Sequence, residues 1–495
     1  MKKYTLSILV ILFTLNTNQS FSQEVEKDTI IPVSLQEVVV STPFKESLKN
    51  NVMRVNKLSL NDINLSNNPV LSFDKIPGLS AITTGPGILK PVIRGLSGNR
   101  VVTFTQNIRL ENGQWGDEHG IEINPFGTQS IEVIKGPMSV LYGSDAIGGV
   151  IYVSPDSFAD GSPQVEFGSL YNSNYSGFSN NLGLKGSVGG INYIVQGSYV
   201  DNGNFSTPEG EVENTFFENT DFKAALGYSS DKFISELRLN YSETNIGIPH
   251  GEEHDDHDEH GDDDHDDDDD HDDDHDEDHE DEEPEFQALE NTLISWKNTF
   301  IFNNKSELEI TVGHTINDRK EFGGHHEEHD DHDDHGDDDD HGDDDHDDDH
   351  DDDHDEDHDD HDGEGAHLAA ELKNTSIDLK YLISSSEKTE FVFGSSLQFQ
   401  DNVNYGEEEL LPDASKNDFG LFGLAHFHGK VWDLMIGLRA DYRRIQKSQF
   451  DETYNSLTTS LGLKTDLGNT GILRLNFSSG YRLSLIHISE PTRPY

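Results

Sequence analysis

Residues 233–241 read Phe-Ile-Ser-Glu-Leu-Arg-Leu-Asn-Tyr. Phe233, Ser235, Leu237, Leu239 and Tyr241 fall on one face of an extended chain, and Glu236, Arg238 and Asn240 on the other, because side chains alternate along a strand. Segments of this texture recur from Gln164 onward. Strands are expected near 164–171, 176–187, 191–201, 217–229, 232–243, 288–301, 306–317, 367–382, 388–401, 417–428, 430–446, 454–466 and 470–484. A soluble all-β sandwich shows similar alternation. Connection lengths favour a membrane barrel: after a short first link they run tight, long, tight, long, and such barrels put short turns on one rim and long loops on the other.

Two of the long connections are built almost wholly from Asp, Glu and His. Residues 251–285 hold 25 acids and 7 His, residues 325–364 hold 26 acids and 11 His, and neither tract contains Lys or Arg. Such segments have almost nothing apolar to bury, so nothing offsets their ordering entropy and self-repulsion, and each is expected to be a solvated loop. Acidic runs are ordinarily solvating spacers, and low-complexity repeats expand by slippage. Regular His insertion, mostly at spacings of three to six, is something a solubilising tract does not need. Imidazole with carboxylate is the ligand set of zinc and its neighbours, whereas carboxylate alone suits calcium or magnesium. Both tracts follow an odd-numbered strand, so both are expected on one rim.

The net charge of −63 belongs mainly to these tracts; without their 51 acids it is −12. Acidity of this kind argues against nucleic acid as a partner, since phosphate would be repelled. Lys2 and Lys3, the apolar run 6–15 and the small and polar residues 20–23 read as a secretory signal peptide over 1–22. No later stretch reaches the 18 or more apolar residues of a transmembrane helix. Cysteine is absent, which excludes lipoprotein anchoring, disulfides and thiolate metal sites together.

Between the signal and the first barrel strand the chain reads differently. LQEVVVS at 35–41 is a short β-prone run. A globular, mixed segment follows, with apolar phrases broken by glycine: KIPGL at 75–79, VIRGLSGNRV at 92–101, IEVIKGP at 131–137 and LYGSDAIGGVIYV at 141–153. In this order these phrases resemble the plug domain of TonB-dependent outer-membrane receptors. The resemblance implies that 35–41 is the TonB box, with Gln36, Glu37, Val38, Val39 and Val40 gripped through strand addition by a TonB-type energy-coupling protein in the periplasm. It also implies an α+β plug enclosed by a 22-stranded barrel in outer-membrane lipid. The expected organisation is a periplasmic segment over 23–50, a plug over 51–158, a partial β-barrel over 163–484, and extracellular His/Asp-rich loops over 244–287 and 319–366. Thirteen strands fall short of a closed barrel, and an open edge is costly in lipid. The chain is therefore expected to be C-terminally truncated, with 485–495 a non-native tail that resembles translated adapter sequence.

A flexible loop can hold many ions weakly, but a tight site needs three or four convergent ligands. These are sought where loop meets barrel: His250, Glu252, Glu253, His254 and His257 at the first tract, and His325, His326 and His329 at the second. Asp117, Glu118 and His119 join them from the polar segment 111–120, which reads as a substrate-facing apex loop of the plug. His314, His426 and His428 fall on strands and are expected simply to line the barrel. GNFSTP at 203–208 and IGIPH at 246–250 resemble loop-root phrases of the zinc-uptake branch of the same receptors. Copper(I) is disfavoured by the absence of Cys and by only four Met. The expected function is capture and import of a divalent transition metal, zinc first, as cargo, with no prosthetic group. The alternatives are a siderophore or haem receptor with incidental acidic loops, and a surface metal-buffering or adhesion protein. No phrase typical of an enzyme appears.

Overall fold

The structure, a computed structural model, describes residues 52–58, 73, 75–83, 88–111, 124–135, 139–143, 145–159, 161–208, 210–249, 285–303, 306–323, 366–386, 388–406, 412–448, 450–468 and 471–481. Among the described residues the plug contributes seven strands: β1 (Val55–Leu58), β2 (Leu79–Thr83), β3 (Leu89–Ile93), β4 (Val101–Thr105), β5 (Ile108–Leu110), β6 (Thr128–Lys135) and β7 (Gly149–Pro155). A single helical turn, α1 (Ser139–Tyr142), precedes β7. Five strands form a mixed sheet in the order β1-β6-β7-β4-β5, and β2 and β3 form a separate hairpin. The central strands β6 and β7 are buried along nearly their whole length; β7 carries the apolar run 150–153, as expected of a strand covered on both faces, while β6 also buries the polar Thr128, Ser130, Glu132 and Lys135. Ile131, Val133, Ile151 and Val153 pack there with Leu89, Ile93 and Phe73. At Gly149 the backbone has φ +145, and an added Cβ would lie 2.5 Å from the carbonyl oxygen of Ile134. Only glycine allows β7 to approach β6 this closely.

The second sheet is wholly sequential and antiparallel. Its thirteen strands are β8 (Gln164–Asn172), β9 (Gly177–Val188), β10 (Ile191–Asn202), β13 (Phe217–Ser229), β14 (Phe233–Gly247), β15 (Phe286–Asn303), β16 (Ser306–Phe322), β17 (Leu368–Ser386), β18 (Thr389–Asn404), β19 (Ala414–His428), β20 (Trp432–Lys447), β21 (Phe450–Asp466) and β22 (Ile472–Ser478). Each of the thirteen segments expected from alternation is a strand. The sequence reading missed a small hairpin, β11 (Phe205–Thr207) with β12 (Gly210–Val212), inside a long connection. It is too short to show a period.

Alternation is resolved into two solvents. Leu237, Trp296, Phe393, Leu421, Leu438 and Leu461 stand exposed on the outer face, while Arg238, Ser295, Lys416, Arg439 and Lys464 are buried on the inner face. An apolar band facing outward with a polar interior is the inverse of a soluble sandwich and the pattern of a barrel in lipid. Among the described residues no helix is long and apolar enough to cross a membrane.

The inner face surrounds the plug. Phe126 faces Gly183 on β9 and Ile147 faces Gly480 beyond β22, so plug contacts run from one side of the sheet to the other. Val52, Met53, Val140 and Val150 pack against Val392, Phe422, Leu424 and Met435 of β18–β20. At Gly313 of β16 a Cβ would fall 2.1 Å from Cδ1 of Ile108. The missing side chain is what lets the β4–β5 hairpin lie against the wall.

Candidate functional site

The strand order puts the C-terminal ends of β8, β10, β14, β16 and β18 on one rim, with the start of the next strand beside each. Both tracts leave from this rim: the first between Pro249 and Glu285, the second between Gly323 and Ala366. Their roots are neighbours in register, Gly247 with Phe286 and Phe286 with Phe322, and the rings of Phe286 and Phe322 stack at 4.7 Å. The base of the first tract is closed by Ile248 N–H donating to the Glu285 carbonyl at 3.0 Å. The Asn214 amide donates to both Ile248 O (2.5 Å) and Glu285 O (2.6 Å). Backbone groups that would fray at a strand end are thereby satisfied.

The plug's β4–β5 turn meets the wall formed by β14–β16. Gln106 and Asn107 both have positive φ, the conformation of a two-residue hairpin whose twist matches its strands. Gln106 Nε2 donates to Asn240 (3.1 Å), Ser295 Oγ donates to Gln106 Oε1 (2.6 Å) and Asn107 Nδ2 donates to Glu309 (3.0 Å). The strands bounding the two tracts are thus bonded to the plug. Above this turn, toward the tract-bearing rim, lies a chamber of about 140 Å³ walled by Gln106, Glu111 and Asn124 of the plug and by Gln196, Arg238, Asn240, Asn291 and Asn317 of the sheet.

A buried ion-pair network joins plug and wall nearby. Asp145 receives Arg109 Nη1 and Arg443 Nη2, each at 2.9 Å. Arg443 also holds Asp418 at 2.7 Å. Glu111 pairs with Arg109 at 3.0 Å and with Lys416 at 3.6 Å, and accepts from Gln398. Burial alone would push the Asp145 carboxyl up, but the Arg443 and Arg109 guanidiniums outweigh it and hold the group well below the usual carboxylate range. Glu111 is likewise held low against its burial, by Arg109 and Lys416. Both carboxylates are thus already paired with buried cations, Asp145 with Arg109 and Arg443 and Glu111 with Arg109 and Lys416.

The candidate ligands read from the sequence, Asp117, Glu118 and His119, His250, Glu252, Glu253, His254 and His257, and His325, His326 and His329, lie outside the described residues, as do Gln36, Glu37, Val38, Val39 and Val40. What is described are their flanks. Glu111 sits against Gln398 and Lys416, and Asn124 donates to Ser198 (2.9 Å) and Asn219 (3.3 Å). The segment holding Asp117–His119 therefore begins and ends in the half of the interior nearer the tract-bearing rim. Elsewhere the fold gathers residues that sequence reasoning set aside: Glu390, His426 and His428 each offer a ligand atom within 4.8 Å of the others. The two histidines sit at alternate positions of β19, which puts both on the inner face. Their pairing with Glu390 needs the β18–β19 register, which spacing alone does not reveal.

A plug packed against the inner face of a long antiparallel sheet is the arrangement of the TonB-dependent receptors, and the chain is similar to that family in its plug sequence and in its fold. Residues 46–150 match the model of the TonB-dependent Receptor Plug Domain. Among curated proteins the chain is 34% identical over 146 residues to Heme/hemopexin utilization protein C of Haemophilus influenzae, covering 29% of this chain and 19% of that one. It is 26% identical over 119 residues to the vitamin B12 transporter BtuB of Photobacterium profundum, covering 23% and 20%. Among solved structures it resembles the copper transporter OprC, with TM-score 0.61 at 14% identity over 86% of this chain and 64% of that one. The FrpB iron transporter from Neisseria meningitidis gives 0.60 at 13% identity over 84% and 62%. At such identities the likeness is one of fold. The matched regions make up about a fifth of these curated relatives' length and under two thirds of the solved chains.

Proposed function

We propose that the protein is an outer-membrane receptor that captures a divalent transition metal, zinc first, on its His/Asp tracts and passes it inward when a TonB-type protein pulls residues 35–41. The observation that carries this reading is the common rim: the described residues that flank the two tracts, Gly247, Phe286 and Phe322, lie in adjacent register, and the tracts between those flanks hold 18 of the chain's 25 histidines and 51 of its 97 acids. Many weak ligands tethered there raise the local ligand concentration, so an ion leaving one is recaptured by the next. Clustered charge draws cations in over roughly 8–10 Å. Disposable antennae pass ions to tighter ligands, for which Asp117, Glu118 and His119 on the plug and His250 and His325 at the tract roots are the first choice. The test is zinc accumulation by cells expressing the chain with residues 35–41 deleted. Accumulation equal to that of the parent chain sinks the transport reading. Tight binding of haem or a ferric chelate, with none of zinc, would favour the siderophore or haem alternative instead.

A further inference from the structure

We infer that Glu390, His426 and His428 form a second metal site, on the inner face beside the rim of short turns, where a cation leaving the interior binds last. Its role in transport rests on the metal-import reading above; its existence as a binding site does not. The geometry carries it. Zinc bonded at about 2.0–2.2 Å in a tetrahedron sets its ligand atoms about 3.3–3.5 Å apart. Here Glu390 Oε2 is 3.6 Å from His428 Nε2 and 4.0 Å from His426 Nδ1, and all three ligand atoms lie within 4.8 Å of one another, so side-chain adjustments of up to about an ångström bring them to metal-ligand spacing. Three protein ligands of this kind leave a fourth position for water, the arrangement of a site that exchanges its metal rather than one that is closed for structure.

The surroundings favour a ligand. His428 Nδ1 lies 2.9 Å from Asp433 Oδ1, and Lys464 Nζ donates to the other Asp433 oxygen at 2.9 Å. A carboxylate on one imidazole nitrogen fixes the proton there and turns the lone pair of the other nitrogen outward, as in carboxylate–histidine–metal triads. That other nitrogen is the one facing Glu390. Asp433 is thus a positioning residue, itself held by Lys464.

Location ties the site to the plug. His426 pairs across the sheet with Met435, and Met435 with Gly462. Met435 packs with Val52 and Met53, and Val52 Cγ1 lies 2.7 Å from where a Gly462 Cβ would be. Two residues along β20, roughly 7 Å, Asp433 faces His428. The site therefore adjoins the first described residues of the plug, those that follow the segment carrying 35–41, and pulling that segment would disturb its wall.

The experiment uses zinc chloride and crystals of the full chain, with anomalous difference density at the zinc edge to separate this site from ions on the tracts. A peak bonded to Glu390, His426 and His428 is expected, and its absence at saturating zinc overturns the proposal. Glu390→Gln, near-isosteric at a partly exposed position, should remove the peak, and an unchanged peak also overturns it. Asp433→Asn should raise the zinc concentration for half-occupancy by 10- to 100-fold; no shift refutes its positioning role. In cells, Glu390→Gln should slow zinc uptake at least fivefold with surface binding unchanged. If the parent's uptake does not need residues 35–41, the import reading fails while a crystallographic peak leaves the site standing. If uptake needs 35–41 but no peak forms, only the site fails.

Discussion

Replacing Asp145 by Asn keeps the side chain's shape and removes its charge, which isolates the plug–wall latch. Asp145 is 1% exposed and bridges Arg109 and Arg443. Removing one partner of a buried ion pair costs about 3–5 kcal/mol, chiefly because the remaining charge is stranded. Here each guanidinium keeps one carboxylate, Arg109 that of Glu111 at 3.0 Å and Arg443 that of Asp418 at 2.7 Å, so the lower end applies, about 3 kcal/mol. At about 1.4 kcal/mol per decade this is a hundredfold in the equilibrium for plug opening. Amide hydrogen exchange in detergent, where exchange follows the open population, should be about a hundredfold faster in β6 and β7 and unchanged in β14–β16. A second variant, Arg443→Gln, and the double variant complete a cycle whose coupling energy should be about 1–3 kcal/mol. Acceleration under threefold, or equal acceleration in the outer sheet, would refute the claim that this network holds the plug.

The latch should be indifferent to pH over the physiological range. Asp145 and Glu111 have folded values below their unfolded ones, so their contribution is full above about pH 4–5 and is lost only as pH falls through the depressed values. Plug exchange rates corrected for intrinsic chemistry should match at pH 8 and pH 5.5, and a tenfold rise at the lower pH would contradict this. Gly313→Val places methyl groups where Ile108 Cδ1 already lies 2.1 Å from a Cβ position; overpacking of about 1–3 kcal/mol should appear as faster exchange in β5. Unchanged exchange would mean the hairpin does not rest on β16. Halving either acidic tract should slow zinc uptake at scarce metal and leave it nearly unchanged at abundant metal, measured with isotopic zinc; equal slowing at both would count against an antenna.

What the sequence determined alone is the strand set and the identity of its two faces. Leu237 beside Arg238, or Phe427 between His426 and His428, states which side meets lipid and which the interior, because that choice depends only on each side chain and its solvent. The phrases of β4, β6 and β7 were legible for the same local reason: glycines where the backbone turns or crowds, apolar runs where both faces are covered. Tertiary structure decided who meets whom across the interior. Asp145 and Arg443 are 298 residues apart, and Glu111 and Gln398 are 287 apart; nothing near either residue marks its partner. Glu390 comes to His426 and His428 only through the antiparallel register of β18 and β19, and Asp433 only through that of β19 and β20. Alternation fixes a face but not a neighbour. Neighbours follow from register and from how the sheet curves around the plug, which are properties of the whole fold.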